Sequence, residues 1–221
     1  MIYVTGDMHG DLERFKTKEI RRLKKGDTLI VCGDFGFVWD GSERERKTLQ
    51  WIGKRRFTTL FVEGTHDNLD LLAAYPEQEY QGGRVHAISG NLYHLCRGSL
   101  FTIEGKRIFA FGGGESTDID IRVEGESWWR QELPARQELL DAKALLQAHD
   151  NQVDCLITHE SPARIRNFLL MGQGRINPLN AFFDTLADTL TYRQWYFGSY
   201  HLDKRIPPKQ YALFRTIVPM E

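Results

Sequence analysis

"MIYVTGDMHGD", residues 1–11, is a short apolar run that stops at Gly6 and Asp7. A buried strand feeding a polar loop has this pattern. "DTLIVCGD" (27–34) repeats it, and so does "TTLFVEG" (58–64). Between the first two lies "LERFKTKEIRRLKK" (12–25), in which Leu12, Phe15, Ile20 and Leu23 predict one helical face ending at Gly26. Between the second and third, "SERERKTLQWIGKRR" (42–56) predicts a charged helix with Leu49 and Ile52 turned inward. Strand, helix, strand, helix, strand is a right-handed βαβαβ opening that builds a parallel sheet and binds ligands beyond the carboxyl ends of its strands.

The chain then changes character. Residues 83–114, "GRVHAISGNLYHLCRGSLFTIEGKRIFAFGGG", predict short, largely antiparallel strands forming a second sheet beside the first. Helical spacing returns in "SWWRQELPARQELLDAKALLQAHD" (127–150), with Leu139, Leu140, Ala144, Leu145 and Ala148 on or near one face. "NPLNAFFDTLADTL" (177–190) predicts a helix with Pro178 in its first turn. "VDCLITHE" (153–160) and "QWYFGSYH" (194–201) are again buried strands ending in polar residues. No repeat, low-complexity tract or linker interrupts the chain, so residues 1–221 are expected to form one domain.

Composition narrows the function. The 29 Lys and Arg against 30 Asp and Glu give a formal net charge of −1, and no basic stripe offers a long nucleic-acid footprint, which argues against a nuclease. No apolar run approaches the ~18 residues of a membrane span, and the N-terminus lacks the basic start of a signal peptide. Cys32, Cys96 and Cys155 form neither a disulfide framework nor a CxxC pair. A soluble, cytoplasmic protein with reduced, buried cysteines is the expectation.

Five strand-like runs end alike, in "GDMHGD", "GDFG", "GTHDN", "THE" and "GSYH". If the strands are neighbours, Asp7, His9, Asp34, His66, His159 and His201 converge at one edge. Any one of these motifs is commonplace; five in order are hard to produce by structural need alone. Mixed carboxylate and imidazole donors suit Mn, Fe or Zn better than Ca or Mg.

The series resembles the calcineurin-like metallophosphoesterase superfamily, whose motifs run Asp-x-His, Gly-Asp, Gly-Asn-His-Asp or -Glu, His, Gly-His-x-His. The resemblance spans residues 6–201. It implies an α/β fold of two mixed sheets packed as a sandwich flanked by helices, with a metal site at the strand carboxyl ends. It also implies a hydrolase that cleaves a phosphate ester, of a nucleotide or phosphoprotein, with metal-activated water and one or two divalent ions. By position, Asp7, His9 and His201 would hold the first metal, Asp34 would bridge, and His159 would serve the second. His66 matches the histidine that assists the leaving oxygen. Three positions depart from the pattern. Thr65 replaces asparagine and Ser199 replaces the first histidine of the last motif, both ligands of the second metal in the family, and Phe37 stands where many relatives carry a second aspartate. Hydroxyls are poorer ligands than imidazole for these ions, so the second site is expected to be weak. The rival reading is a degenerate relative that binds a phosphorylated ligand or partner without turnover.

Other residues carry lesser expectations. Arg97, Arg122 and Lys204 could meet a phosphate, though a solvated surface role competes for each. Trp128 and Trp129 offer either a nucleobase platform or core packing. His86 and His94 read as structural, and Asp11 and Glu160, next to metal motifs, as residues that orient ligands.

Overall fold

The computed structural model describes residues 1–221. β1 (Ile2–Thr5), β2 (Thr28–Cys32) and β3 (Thr58–Val62) run parallel in adjacent positions. Each buries both faces, which explains their continuous apolar character. Ile30 and Cys32 of β2 enter one core, while Leu29 and Val31 enter another on the opposite face.

The stretch predicted as a second sheet is divided between two. β4 (Glu77–Tyr80), β5 (Gly83–Ser89) and β6 (Leu92–Leu95) complete the first sheet, with β6 parallel to β3 and the other two antiparallel beyond it. At Gly98, which takes φ 67°, the chain turns toward the other sheet. There β7 (Ser99–Ile103) pairs with β8 (Lys106–Phe111), and β8 runs parallel to β9 (Cys155–Thr158). β10 (Gln194–Phe197), β11 (Lys204–Ile206), β12 (Gln210–Ala212) and β13 (Val218–Pro219) follow. The seven-stranded sheet has the order β13-β1-β2-β3-β6-β5-β4, and the six-stranded sheet β11-β12-β10-β9-β8-β7. Both are mixed, as expected.

Alternating residues of the two sheets meet in a shared central core: Val4, Ile30 and Leu60 face Ile108, Ile157 and Tyr196. Helices cover the outer faces. α1 (Lys18–Arg21), α2 (Glu43–Gly53) and α3 (Leu69–Ala73) place Ile20, Leu49, Ile52 and Leu72 on the first sheet. α4 (Arg136–Ala148), α5 (Ala163–Leu169) and α6 (Pro178–Thr189) cover the second, with Ala142, Leu146, Leu179, Phe183 and Leu186 buried. No helix is long and apolar enough to cross a membrane.

Two helix expectations need correction. Residues 12–25 are not one helix but a 3-10 segment, Leu12–Lys16, followed by α1, because Thr17 between them is extended. Phe15, Ile20 and Leu23 nonetheless reach the same core. α4 begins at Arg136, just after Pro134, and its buried residues are Ala142 and Leu146, whereas Leu140, Ala144 and Ala148 are exposed. Ser42 and Asn177 cap α2 and α6 by accepting from Glu45 and Asn180 backbone N–H groups.

Candidate metal centre

The loops after β1, β2, β3, β9 and β10 open at one rim, where the carboxyl ends of parallel strands from both sheets meet. Donor atoms of Asp7, His9, Asp34 and His201 all lie within 4.8 Å of one another. His201 Nε2 is 3.4 Å from Asp7 Oδ2, His9 Nε2 is 3.8 Å from Asp34 Oδ2, and the two imidazole Nε2 atoms are 2.8 Å apart. Two buried carboxylates and two imidazoles aimed at a common point fit a borderline divalent ion such as Mn, Fe or Zn.

The backbone is bent to achieve this. His9, Asp34, Ser199 and His201 have φ of 49°, 43°, 69° and 49°. Left-handed conformations at non-glycine residues cost about 1–3 kcal/mol each and persist where surrounding contacts over-determine them. Such contacts are present: Met8 and His9 N–H groups both donate to the Asp34 carbonyl at 2.9 and 2.8 Å, and Ser199 N–H reaches both Asp7 oxygens at 3.0 Å. Two motif glycines are required by neighbours. A Cβ on Gly64 would overlap the Asp34 carboxylate, and one on Gly198 would overlap that of Asp7.

Asp34 is the most heavily used group. Its Oδ1 accepts Thr65 and His66 N–H groups at 2.6 and 2.8 Å, and its Oδ2 lies 2.9 Å from His66 Nδ1. Burial opposes ionisation, but His159, His66 and His9 outweigh it and hold Asp34 well below the usual carboxylate range. The bond to Asp34 in turn raises His66, whereas burial lowers His9.

His159 lies beneath the cluster, with Nδ1 3.6 Å from Asp7 Oδ1 and Nε2 3.5 Å from Asp34 Oδ1. Burial would depress it; Asp34, Asp7 and Glu160 outweigh burial and hold it well above its ordinary value. Ser199 and Thr65 line the cavity above, and each gives a backbone N–H to an acidic residue of the cluster. That cavity has a volume of about 470 Å³ and is lined mainly by polar residues, including His66, Asp118, Arg122, Glu160, Arg166 and Tyr200.

Arg122 reaches the cavity: its Nη2 is 3.4 Å from His66 Nε2, and its Nε pairs with Asp118 at 2.7 Å. Arg97 does not. Its guanidinium is bound to buried Glu63 and donates to the Gln131 carbonyl, so it is a structural cation and not a phosphate contact. Lys204 lies over the Phe168 ring on β11, outside the cavity. Trp129 is buried, donates Nε1–H to Asp70 and packs edge-on against Trp39; neither it nor Trp128 lines the cavity. Asp11 caps the 3-10 segment and does not touch a cluster residue through its side chain. Glu160 accepts from Arg166 and Asn180.

Two important residues escaped sequence reasoning. Asp67 accepts N–H groups of Phe35, Gly36 and Gly64, tying the second loop to the third. Burial and the Asp34 charge push its carboxyl up to about 6. Its place directly after His66 is visible in the sequence, but nothing local shows that it reaches across to the second loop; the carboxylate that pairs with His66 is Asp34. Arg14 is buried and donates to the Asp7 and Phe214 carbonyls. Among charged residues of a surface-like helix, it gave no signal.

A family model for calcineurin-like phosphoesterases matches residues 1–209. The chain belongs to the calcineurin-like phosphoesterase family. Comparison with curated proteins gave no match. Family membership agrees with the two mixed sheets and with a rim cluster of Asp and His that could hold a metal ion. Against the motif pattern given above, this member of the family carries hydroxyls at both Thr65 and Ser199.

Proposed function

We propose that this chain is a metal-dependent phosphoesterase that hydrolyses a phosphate ester, either of a nucleotide or of a phosphoprotein. The observation that carries the reading is the convergence of Asp7, His9, Asp34 and His201 on one point beneath a polar cavity. Free cysteines fit a reducing, cytoplasmic compartment, and near-neutral charge does not favour long nucleic acid.

A divalent ion held by Asp7, His9, Asp34 and His201 would supply a Lewis acid that activates water and offsets phosphoryl charge. The remaining work falls to the protein. Ser199 and Thr65 N–H groups fix the two carboxylates, so these need not reorganise during reaction. His66 turns Nδ1 to Asp34 and leaves Nε2 facing the cavity beside Arg122. From there Nε2–H donates a proton to the leaving oxygen, while the Arg122 guanidinium binds phosphoryl oxygens. His159 is the ligand offered to a second, weaker ion, whose other protein donors would be the hydroxyls of Thr65 and Ser199.

Those two hydroxyls also favour the second reading, a phosphate-binding relative without turnover. An aryl phosphate assay with added Mn separates the two. Metal-dependent turnover by the native chain, abolished by Asp34→Asn in a folded variant, supports the enzyme. Bound Mn without turnover, together with phosphate binding, supports the binder.

A further inference from the structure

A second group of metal-ligating side chains shares no residue with the rim cluster. His86 on β5 and His94 on β6 are direct cross-strand partners. Their rings lie edge to edge, within 3° of parallel and with centroids 5.3 Å apart, so that their Nδ1 atoms face each other at 3.0 Å. Cys96 Sγ is 3.8 Å from His86 Nδ1, and all three donors lie within 4.8 Å of one another. We propose that His86, His94 and Cys96 form a binding site for a zinc-class divalent ion.

Geometry supports this. Around a tetrahedral ion with bonds of about 2.05 Å to nitrogen and 2.3 Å to sulfur, two nitrogens stand about 3.3 Å apart and nitrogen stands about 3.6 Å from sulfur. The Nδ1–Nδ1 separation and that of Cys96 Sγ from His86 Nδ1 differ from these by only a few tenths of an ångström, and the His94 and Cys96 donors lie within 4.8 Å of each other. An imidazole–thiolate set selects zinc over calcium or magnesium, which take oxygen ligands.

The tautomer is also arranged for binding. His94 Nε2 is 2.7 Å from Glu63 Oε2, and both groups are buried. Glu63 also pairs with the Arg97 guanidinium. A carboxylate held by an arginine accepts, so His94 donates to it from Nε2 and turns Nδ1 toward His86. A carboxylate behind an imidazole fixes the rings of metal-ligating histidines in this way. Cys96 binds an ion as thiolate, so binding releases its thiol proton. All three ligands open onto a cavity of about 340 Å³ that Glu77, opposite His86 on β4, also lines.

Occupancy would bear on the rim. Glu63 directly precedes Gly64, Thr65 and His66, whose last two N–H groups hold Asp34. An ion at His94 thus braces β3 where it delivers those donors.

Cobalt titration of the full chain tests the site, because a thiolate ligand gives cobalt a charge-transfer absorption that the sulfur-free rim cluster does not supply. Native protein is expected to develop this band to the intensity of one thiolate-bound cobalt per chain, with further cobalt taken up by the rim adding none of it. Cys96→Ser and His86→Ala are expected to lose it and to bind zinc about tenfold or more weakly in chelator competition. His86 is only half-buried, so His86→Ala carries the test if Cys96→Ser does not fold. Absence of a thiolate band in folded, cobalt-saturated native protein would overturn the proposal. So would a band that survives in folded Cys96→Ser or His86→Ala.

Discussion

His66 holds Asp34 from two directions, with its backbone N–H 2.8 Å from Oδ1 and its ring Nδ1 2.9 Å from Oδ2. The ring is therefore locked to the carboxylate, and Nε2 is the only nitrogen free to face a substrate. His66→Gln should lower kcat about 10²–10⁴-fold on an alkyl phosphate, the usual contribution of a positioned general acid. On an aryl phosphate, whose leaving group departs without a proton, the loss should be smaller. Steady-state kinetics over a series of leaving groups checks this; equal losses across the series would remove His66 from the acid role.

Gly198 lies between β10 and Ser199, with its backbone pressed against Asp7 and the Cys32 carbonyl. Gly198→Ala must move the Asp7 carboxylate, which Ser199 N–H holds. Expected effects are a loss of about 1–3 kcal/mol in urea unfolding, as for other overpacked sites, and lower metal content in the purified protein. A variant with native stability and native metal content would show that Asp7 tolerates displacement.

The rim was legible in sequence because each contributing strand is buried on both faces and so reads as an unbroken apolar run, ended by glycine in four of the five, as at Gly64 and Gly198 where a neighbour's side chain needs the room. Leu29–Val31 and Leu156–Ile157 are such runs. Which sheet each strand of residues 83–111 joins was not legible. A hairpin pattern fixes pairing within a hairpin, whereas β6 and β8 gain their other neighbours, β3 and β9, from distant segments. Arg97 and Arg122 looked alike for the same reason: Glu63 captures one and the cavity receives the other, and neither choice is encoded locally. Cys96, set apart in sequence from His86, looked like core filler until the β5–β6 pairing brought them together.

Glu132 is 1% exposed, and its carboxyl oxygens accept only the Ser116 and Trp129 N–H groups. Burial raises its pKa above the ordinary 4.5. Between those two values the folded state binds more protons than the unfolded state, so this group's contribution to stability falls as pH rises through that window. Above the raised value the loss is complete. Glu132→Gln removes the titration, so the stability of the variant relative to native should improve between pH 4.5 and about pH 8. Urea unfolding at the two pH values measures the difference. A difference independent of pH would mean that Glu132 titrates alike in both states.

On the proposed reading Thr65 and Ser199 would set the strength of a second ion site, and the backbone at Ser199 is already suited to a larger side chain. Ser199 adopts φ 69° as a non-glycine residue, so a histidine there adds no new class of backbone strain. Its N–H bond to Asp7 belongs to the main chain and survives substitution, as does the Thr65 N–H bond to Asp34. Both side chains line an open cavity and not a packed core. Thr65→Asn with Ser199→His should therefore fold normally and, with His159, offer a nitrogen- and oxygen-rich set in place of two hydroxyls. Metal analysis after Mn loading is expected to show higher occupancy than in the native chain, with faster aryl phosphate turnover at limiting Mn. Unchanged occupancy in a folded double variant would mean that His159, pinned between Asp7 and Asp34, is a partner of those carboxylates and not a ligand.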